Sequence, residues 1–263
     1  MKLSVSKWCT FAGKEITENL RSKNIFALAC VFIFLALLSV LTARFMGEIM
    51  DWALSIEGGA GLMMEIPDPV WTDSYVQLYS NLTSMGMLAF VMIYMGAILR
   101  EKRSGTIDLM MAKGLTPTVF VVAKYAVAVA VSILALVVTV LITYVYTLVL
   151  FEYGGNIGHV LLGAVPFGVF MIMMLGITIM WSAIAKSTAM SAVLGLVSFF
   201  LFIPLDLIPW IGRFTPGRLL GHGVSLSVGV GAGNYLGIQI AVAIVVTIVA
   251  LWIAIQVLRK REG

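Results

Sequence analysis

Charged residues are scarce in this sequence. They make up 11% of the 263 residues, whereas they make up about a quarter of an ordinary soluble domain. Hydrophobic residues make up 61%, and the mean hydropathy is +1.05. This composition excludes a soluble globular domain and predicts an all-α integral membrane protein.

Cysteine and histidine are also scarce. The two cysteines, Cys9 and Cys30, provide neither a disulfide framework nor the spacing of a metal site. The two histidines, His159 and His222, stand alone in the sequence, whereas a metal centre needs several convergent ligands. We therefore expect no metal ion.

A phosphate-binding loop is missing as well. The pattern G-x-x-x-x-G-K-[ST] needs its glycines because backbone N–H groups must approach the phosphates. Lys186 and Ser187 match the end of this pattern, but Met180 and Ala185 occupy the glycine positions. We expect no cofactor in this chain and no enzymatic activity. If ATP drives the protein, a partner subunit binds the ATP and its Mg²⁺.

Long uncharged runs dominate what is present. A helix that crosses a membrane needs about 20 mostly apolar residues, and the chain has room for six such spans. The sequence predicts one transmembrane domain over residues 1–263. The predicted spans are 24–43, 74–99, 118–151, 160–185, 189–208 and 236–258.

Residues 1–23 predict a helix that lies on the cytoplasmic leaflet, because apolar residues recur there at steps of three and four. Lys7, Trp8, Phe11 and Lys14 would hold this interfacial helix at the membrane surface. The alternative is a helix exposed to the cytoplasm.

Two connections are predicted on the outer side. Residues 44–73 carry six acidic residues against one basic residue and predict a loop that contains a short helix. Residues 209–235 are apolar but contain too many glycines and prolines for one continuous span. We predict two short re-entrant helices there, interrupted near Pro209, Pro216 and Gly217.

Basic residues give the orientation. Fourteen of the 17 fall on one side of the predicted spans, in 1–23, 100–124, Lys186 and 259–261. Short loops rich in lysine and arginine stay in the cytoplasm, so both termini are expected there in a multi-pass protein of the cell membrane. Because the net charge of +4 comes from span ends, we expect no nucleic-acid partner.

The segment 100–117 joins spans two and three and predicts a short capped helix. Thr106 is expected to cap it, Asp108 lies in its first turn, and Gly114 can close it in a left-handed conformation. Pro117 then suits the first position of span three. A capped helix at the mouth of two spans is a candidate docking element, and a merely solvated loop is the alternative.

This segment resembles the cytoplasmic signature of ABC-2 type transporter permeases. The resemblance rests on Glu101-Lys102-Arg103-Ser104-Gly105-Thr106-Ile107-Asp108-Leu109-Met110, followed by Pro117 and Lys124. The interfacial helix, the six spans and the broken segment between spans five and six extend it over nearly the whole chain. Met110-Met111-Ala112-Lys113 departs from the family's commoner run of leucines and serine.

The resemblance implies a permease subunit that pairs with a second copy, identical or homologous, and with cytoplasmic ABC ATPase subunits. Closure of the ATPases on ATP would tilt spans one, two and five. It would thereby export an amphipathic or apolar substrate, such as a drug, lipid or peptide, by alternating access. Glu101 is expected to form an ion pair with the partner. The residues expected to couple to the ATPase are Glu101, Arg103, Gly105, Thr106, Asp108, Leu109, Met110 and Lys113.

Other functions remain open. The chain could transmit ATPase motion as an immunity or signalling subunit without moving cargo, or it could be a membrane enzyme with an unrecognised site. A proton-coupled transporter is disfavoured because Asp206 is the one candidate charge inside a span. On span four, Met171, Met173, Met174 and Met180 would provide a deformable apolar surface for cargo, and the alternative is that they simply face lipid or neighbouring helices.

Overall fold

The computed structural model describes residues 23–56, 68–112 and 114–260. Within them the protein is all α-helical, and six helical segments are long and apolar enough to cross a membrane. This is an all-α integral membrane protein. The helices are α1 (Lys23–Ile56), α2 (Trp71–Asn81), α3 (Met87–Tyr94), α4 (Leu99–Arg103), α5 (Thr106–Ala112), α6 (Pro117–Phe151), α7 (Ile157–Ile184), α8 (Thr188–Leu207), α9 (Pro209–Gly212), α10 (Leu219–Ser227) and α11 (Leu236–Arg259).

The six spans are α1, the run from α2 to α4, α6, α7, α8 and α11. A π-helical turn, Leu82–Gly86, joins α2 to α3, and a 3-10 turn, Pro216–Arg218, precedes α10. The end of the bundle that carries α4, α5 and the C-terminus of α7 is called the basic end. The other end carries α9, α10 and the connection between α6 and α7.

The first helix is longer than the sequence predicts. It continues to Ile56, whereas the span was expected to end at residue 43 and an outer loop to follow. The prediction of a loop is therefore wrong for residues 44–56. Arg44 and Glu48 are good helix formers, so the helix continues after its uncharged run has ended.

Helix α6 also exceeds the membrane. Its 35 residues, at about 1.5 Å per residue, give a length of about 50 Å, against about 30 Å for the hydrocarbon core. It begins with Pro117, and the Thr116 hydroxyl accepts a hydrogen bond from the Val119 N–H at 3.4 Å. The proline fits because the first helical residue has no N–H partner in any case.

Helix α7 forms the centre of the bundle. In its most apolar stretch 72% of the residues are buried, against 18–50% for the other spans. It packs against α6, α8, α10 and α11. The expectation of a methionine surface for cargo is wrong for Met171, Met173 and Met174, which are fully buried in the core, and Met180 is half-buried.

Glycines bring α10 close to its neighbours at the end opposite the basic end. A Cβ on Gly163 of α7 would lie 2.5 Å from the carbonyl oxygen of Gly223 on α10, and a Cβ on Gly223 would lie 2.9 Å from the Tyr79 ring. The Tyr79 hydroxyl lies 3.2 Å from the Ser227 hydroxyl. Helix α10 is thus fixed between spans two and four.

The Asp206 carboxylate organises the broken segment between spans five and six. Its Oδ1 accepts a hydrogen bond from the Thr215 hydroxyl. A Cβ on Gly217 would overlap the Oδ2 of Asp206, so a glycine is needed at that contact. Pro209 begins α9, and Pro216 and Gly217 are buried in the 3-10 turn, so all three residues lie at breaks in the helical structure.

Candidate functional site

The candidate site is the α4–α5 unit, residues Leu99–Ala112, which begins with the last helix of span two at the basic end. Gly105 has φ +69° and Gly114 has φ +83°, a region that glycine enters without steric cost. The Gly114 N–H donates to the Met111 carbonyl at 2.8 Å, and the Leu115 N–H donates to the Met110 carbonyl at 3.2 Å. This pair of bonds is a Schellman motif, so the left-handed closure predicted at Gly114 is confirmed.

The other end of α5 differs from the prediction by one residue. Thr106 is the first helical residue and not the cap. The Gly105 carbonyl accepts the first helical bond, from the Leu109 N–H at 3.3 Å. The Thr106 hydroxyl instead lies 2.7 Å from the Ser104 hydroxyl and ties the turn between the two helices.

Helix α5 has one face packed on the bundle and one face open. Ile107 is buried, and Met110 is half-buried against the core. On the open face, Asp108 is exposed and Leu109 is 67% exposed. Lys113 lies outside the described residues. The unit therefore presents an apolar side chain beside a carboxylate at the basic end.

Glu101 and Lys124 form an ion pair inside the chain. The Glu101 Oε1 lies 2.6 Å from the Lys124 Nζ, and the side chains are 14% and 11% exposed. The Lys124 Nζ also lies 5.5 Å from the centre of the Phe120 ring. The sequence had assigned Glu101 an ion pair with another subunit. The structure shows an ion pair within the chain, between Oε1 and the Lys124 of α6, and the contact of Glu101 with another subunit stays a prediction.

Basic side chains of α4 bind the C-terminal end of α7. The Lys102 Nζ donates to the Ala183 carbonyl at 2.9 Å, and the Arg103 guanidinium donates to the Lys186 carbonyl at 2.9 Å. Ala183 lies in the last turn of α7, where carbonyl groups lack helical partners and positive charge is favourable. Arg103 thus contacts this chain although it is exposed.

Ser182 is a site residue that the sequence did not reveal. Its Oγ accepts hydrogen bonds from the N–H groups of Ile98 and Leu99, at 3.0 Å and 3.1 Å. These N–H groups lie where the helix of span two is interrupted, between α3 and α4. A hydroxyl close to the end of an otherwise apolar span was the available signal.

The remaining predicted residues lie elsewhere. Lys7, Trp8, Phe11 and Lys14 fall outside the described residues. The three residues of the broken segment, Pro209, Pro216 and Gly217, lie at the end of the bundle opposite the α4–α5 unit. The structure therefore gathers the coupling residues from Glu101 to Met110 into one unit and separates them from the broken segment.

Comparison with known proteins identifies the family. Residues 65–255 match the family described as "ABC-2 family transporter protein". The chain is also 22% identical, over 139 residues, to the "Uncharacterized transmembrane protein YxlG" of Bacillus subtilis (strain 168). This alignment covers 53% of the chain and 53% of that protein, so the chain spans about half the length of the curated relative that it matches. Because the family match includes most of the chain, from span two into span six, the protein belongs to the ABC-2 family of transporter proteins.

Proposed function

We propose that this chain is the permease subunit of an ATP-driven ABC transporter. ATP and Mg²⁺ are bound by separate cytoplasmic ABC ATPase subunits, which dock on the α4–α5 unit. The observation that carries the proposal is the open face of α5, where Leu109 is 67% exposed on a helix whose opposite face is buried. A solvated loop would need neither a packed face nor a left-handed glycine at each end of α5, so docking is favoured over the alternative of a solvated loop.

In this proposal the basic end faces the cytoplasm. Arg100, Arg103 and Lys186 are exposed there, and α11 ends there with Arg259. Positive residues at span ends are retained on the cytoplasmic side, so in this proposal both termini lie on the cytoplasmic side of the cell membrane. Aromatic residues lie at the other end, where Trp71 makes edge contacts with Tyr75 and Tyr153. Tryptophan and tyrosine are enriched at membrane interfaces, so this cluster suits the opposite one.

A second permease copy, identical or homologous, completes the transporter in this proposal. Span five is the least covered by its own chain, with 18% of its most apolar stretch buried. Val193, Val197 and Leu201 are each more than half exposed along it. A second copy covers part of such apolar surface, and membrane lipids cover the rest.

The proposed cargo is amphipathic or apolar, such as a drug, lipid or peptide, and it is exported by alternating access. An apolar groove of about 170 Å³ between α1 and α6 supports this choice, because eight apolar side chains line it. Closure of the ATPases provides the displacement of α4 and α5. The groove residues are Ile25, Leu28, Ala29, Ile33, Val131, Leu134, Ala135 and Val138.

A second candidate function is the transmission of ATPase motion without cargo. The fully buried side chains of α7 favour it, because Phe167, Phe170 and Met171 fill the centre of the described bundle. A flux assay in proteoliposomes separates the two functions. ATP-dependent movement of a fluorescent lipid or drug supports transport, and ATP hydrolysis without any flux supports transmission alone.

Co-purification in mild detergent tests the docking site. We expect an ABC ATPase to remain bound to the native chain and Leu109→Ala to reduce the retained ATPase several-fold, because the exposed leucine would be lost from the contact. Leu162→Ala is the matched control, since Leu162 is 55% exposed at the other end of the bundle. Equal retention by both variants would contradict docking on α5.

A further inference from the structure

The helix of span two is interrupted just before the α4–α5 unit. Helix α3 ends at Tyr94 and α4 begins at Leu99, and helical i to i−4 bonding resumes where the Arg100 N–H donates to the Gly96 carbonyl at 3.2 Å. Ile98 and Leu99 are almost completely buried. Their N–H groups therefore need an acceptor from within the protein, since a buried N–H without one is costly.

One hydroxyl on another span provides that acceptor. The Ser182 Oγ lies 3.0 Å from the Ile98 nitrogen and 3.1 Å from the Leu99 nitrogen, and Ser182 is itself fully buried. If α4 swung away from α7, both N–H groups would lose their partner in an apolar interior. The N–H groups that the break in span two leaves without a helical partner are therefore satisfied by span four.

The neighbouring contacts also hold α4 against the C-terminal end of α7. Lys102 bonds the carbonyl of Ala183 and Arg103 bonds the carbonyl of Lys186, each at 2.9 Å. Helix α4 is thus attached to residues 182–186 at three points, through the half-buried Lys102, the exposed Arg103 and the buried hydroxyl of Ser182. Helix α4 is linked to span three by the ion pair between Glu101 and Lys124.

We propose that Ser182 is a positioning residue that makes α4 and the C-terminal end of α7 move as one body, so that a displacement of the α4–α5 unit passes first to span four. The origin of that displacement rests on the proposed function. Span four is the most buried span, and it packs against α6, α8, α10 and α11. Spans one and five and the α2–α3 part of span two then move as a consequence of span four and not through separate contacts with α5.

Amide hydrogen exchange, followed by mass spectrometry on the purified full-length chain, tests the attachment. We expect Ser182→Ala to accelerate exchange in residues 97–100 at least about tenfold, since the two N–H groups lose their acceptor. Ser198→Ala is the matched control, because Ser198 accepts a hydrogen bond from Trp181 on α7 at 2.8 Å but does not touch α4. Unchanged exchange in Ser182→Ala would overturn the proposal.

A second measurement tests the transmission. In the complex with the co-purified ATPase, Mg-ATP with vanadate is expected to change exchange in both α4 and the last two turns of α7. In Ser182→Ala the change at α7 is lost while the ATPase remains bound, and in Ser198→Ala it is retained. A response at α7 that is equal in Ser182→Ala and the native chain would overturn the proposal.

The two measurements separate this inference from the proposed function. If nucleotide changes nothing in the native complex, the proposed function fails, and the attachment of α4 to α7 is decided by the first measurement alone. If Ser182→Ala does not insert, Lys102→Met replaces it, because Lys102 is half-buried and its Nζ bonds α7. That variant is expected to accelerate exchange in 97–103, and native exchange there would overturn the proposal.

Discussion

Glu101 and Lys124 lie 23 residues apart in the sequence, and their side chains meet at 2.6 Å between Oε1 and Nζ. This pair joins α4 to α6 at the basic end of the bundle, and both side chains are largely buried. The proposed displacement of the α4–α5 unit therefore begins from a fixed position.

Lys124→Met is expected to destabilise the protein by about 3 kcal/mol, because it leaves the Glu101 carboxylate buried without a positive partner. Reversible unfolding in mixed micelles gives the free energy of unfolding. The double variant Glu101→Gln with Lys124→Met is the control and should recover a large part of the loss, because the unpaired charge is gone. A Lys124→Met protein as stable as the native one would show that the pair contributes little.

Gly163→Ala is expected to destabilise the contact of α7 with α10. The new Cβ would lie 2.5 Å from the backbone oxygen of Gly223, which cannot move without α10. The cost is expected to be about 2 kcal/mol, as for other overpacked sites. Gly221→Ala on α10 is the control, since no atom lies within 4 Å of its Cβ position. Comparable melting temperatures for the two variants would contradict the close packing.

Gly217→Ala and Asp206→Ala are expected to be coupled. The added methyl group displaces the Asp206 carboxylate and breaks its bond with Thr215, at a cost of about 1–2 kcal/mol. Once Asp206 is alanine, the same change at Gly217 should cost much less. A double-mutant cycle of unfolding free energies measures this coupling, and strictly additive values would disprove the contact.

Gly105→Ala is expected to distort the turn between α4 and α5, because φ +69° costs a residue with a Cβ about 1–2 kcal/mol. Membrane insertion should be unchanged, while ATP hydrolysis becomes uncoupled from activity as α5 loses its position. Gly105→Asn should behave more like the native protein, since asparagine tolerates this conformation. Flux and hydrolysis measured on the same proteoliposomes would detect the difference. Native coupling in Gly105→Ala would count against α5 as the docking element.

Much of the fold could be predicted because a membrane span requires a long uncharged run that is visible in the sequence. The uncharged runs placed six spans, and the left-handed closure at Gly114 followed from local chemistry. The end of α1 could not be placed in this way. Hydropathy marks where the apolar run ends, whereas a helix ends where a breaker occurs, and residues 44–56 contain neither proline nor a glycine pair.

The contacts of the candidate site were harder to predict because they join distant residues. Ser182 bonds Ile98 across 84 positions, and no local pattern marks the break in span two that creates the need for it. The signature identifies Glu101 as a site residue and predicts a partner in another subunit, whereas its partner within the chain is Lys124 of the same signature. A charge near a span end can pair inside or outside the chain, and only the packing of α4 on α6 decides between them.

Span four is enclosed by other helices of the chain, whereas spans five and six are mostly uncovered. Spans five and six have only 18% and 22% of their most apolar stretches buried within the chain, so they have the most surface left for the proposed second copy and for membrane lipids. A thinner or thicker bilayer is accommodated by tilting of helices that touch it. Spans five and six should therefore change their tilt when the bilayer thickness changes. Span four, which is enclosed by other helices, should keep its tilt. A change of bilayer thickness would then alter the crossing angles between span four and the helices around it.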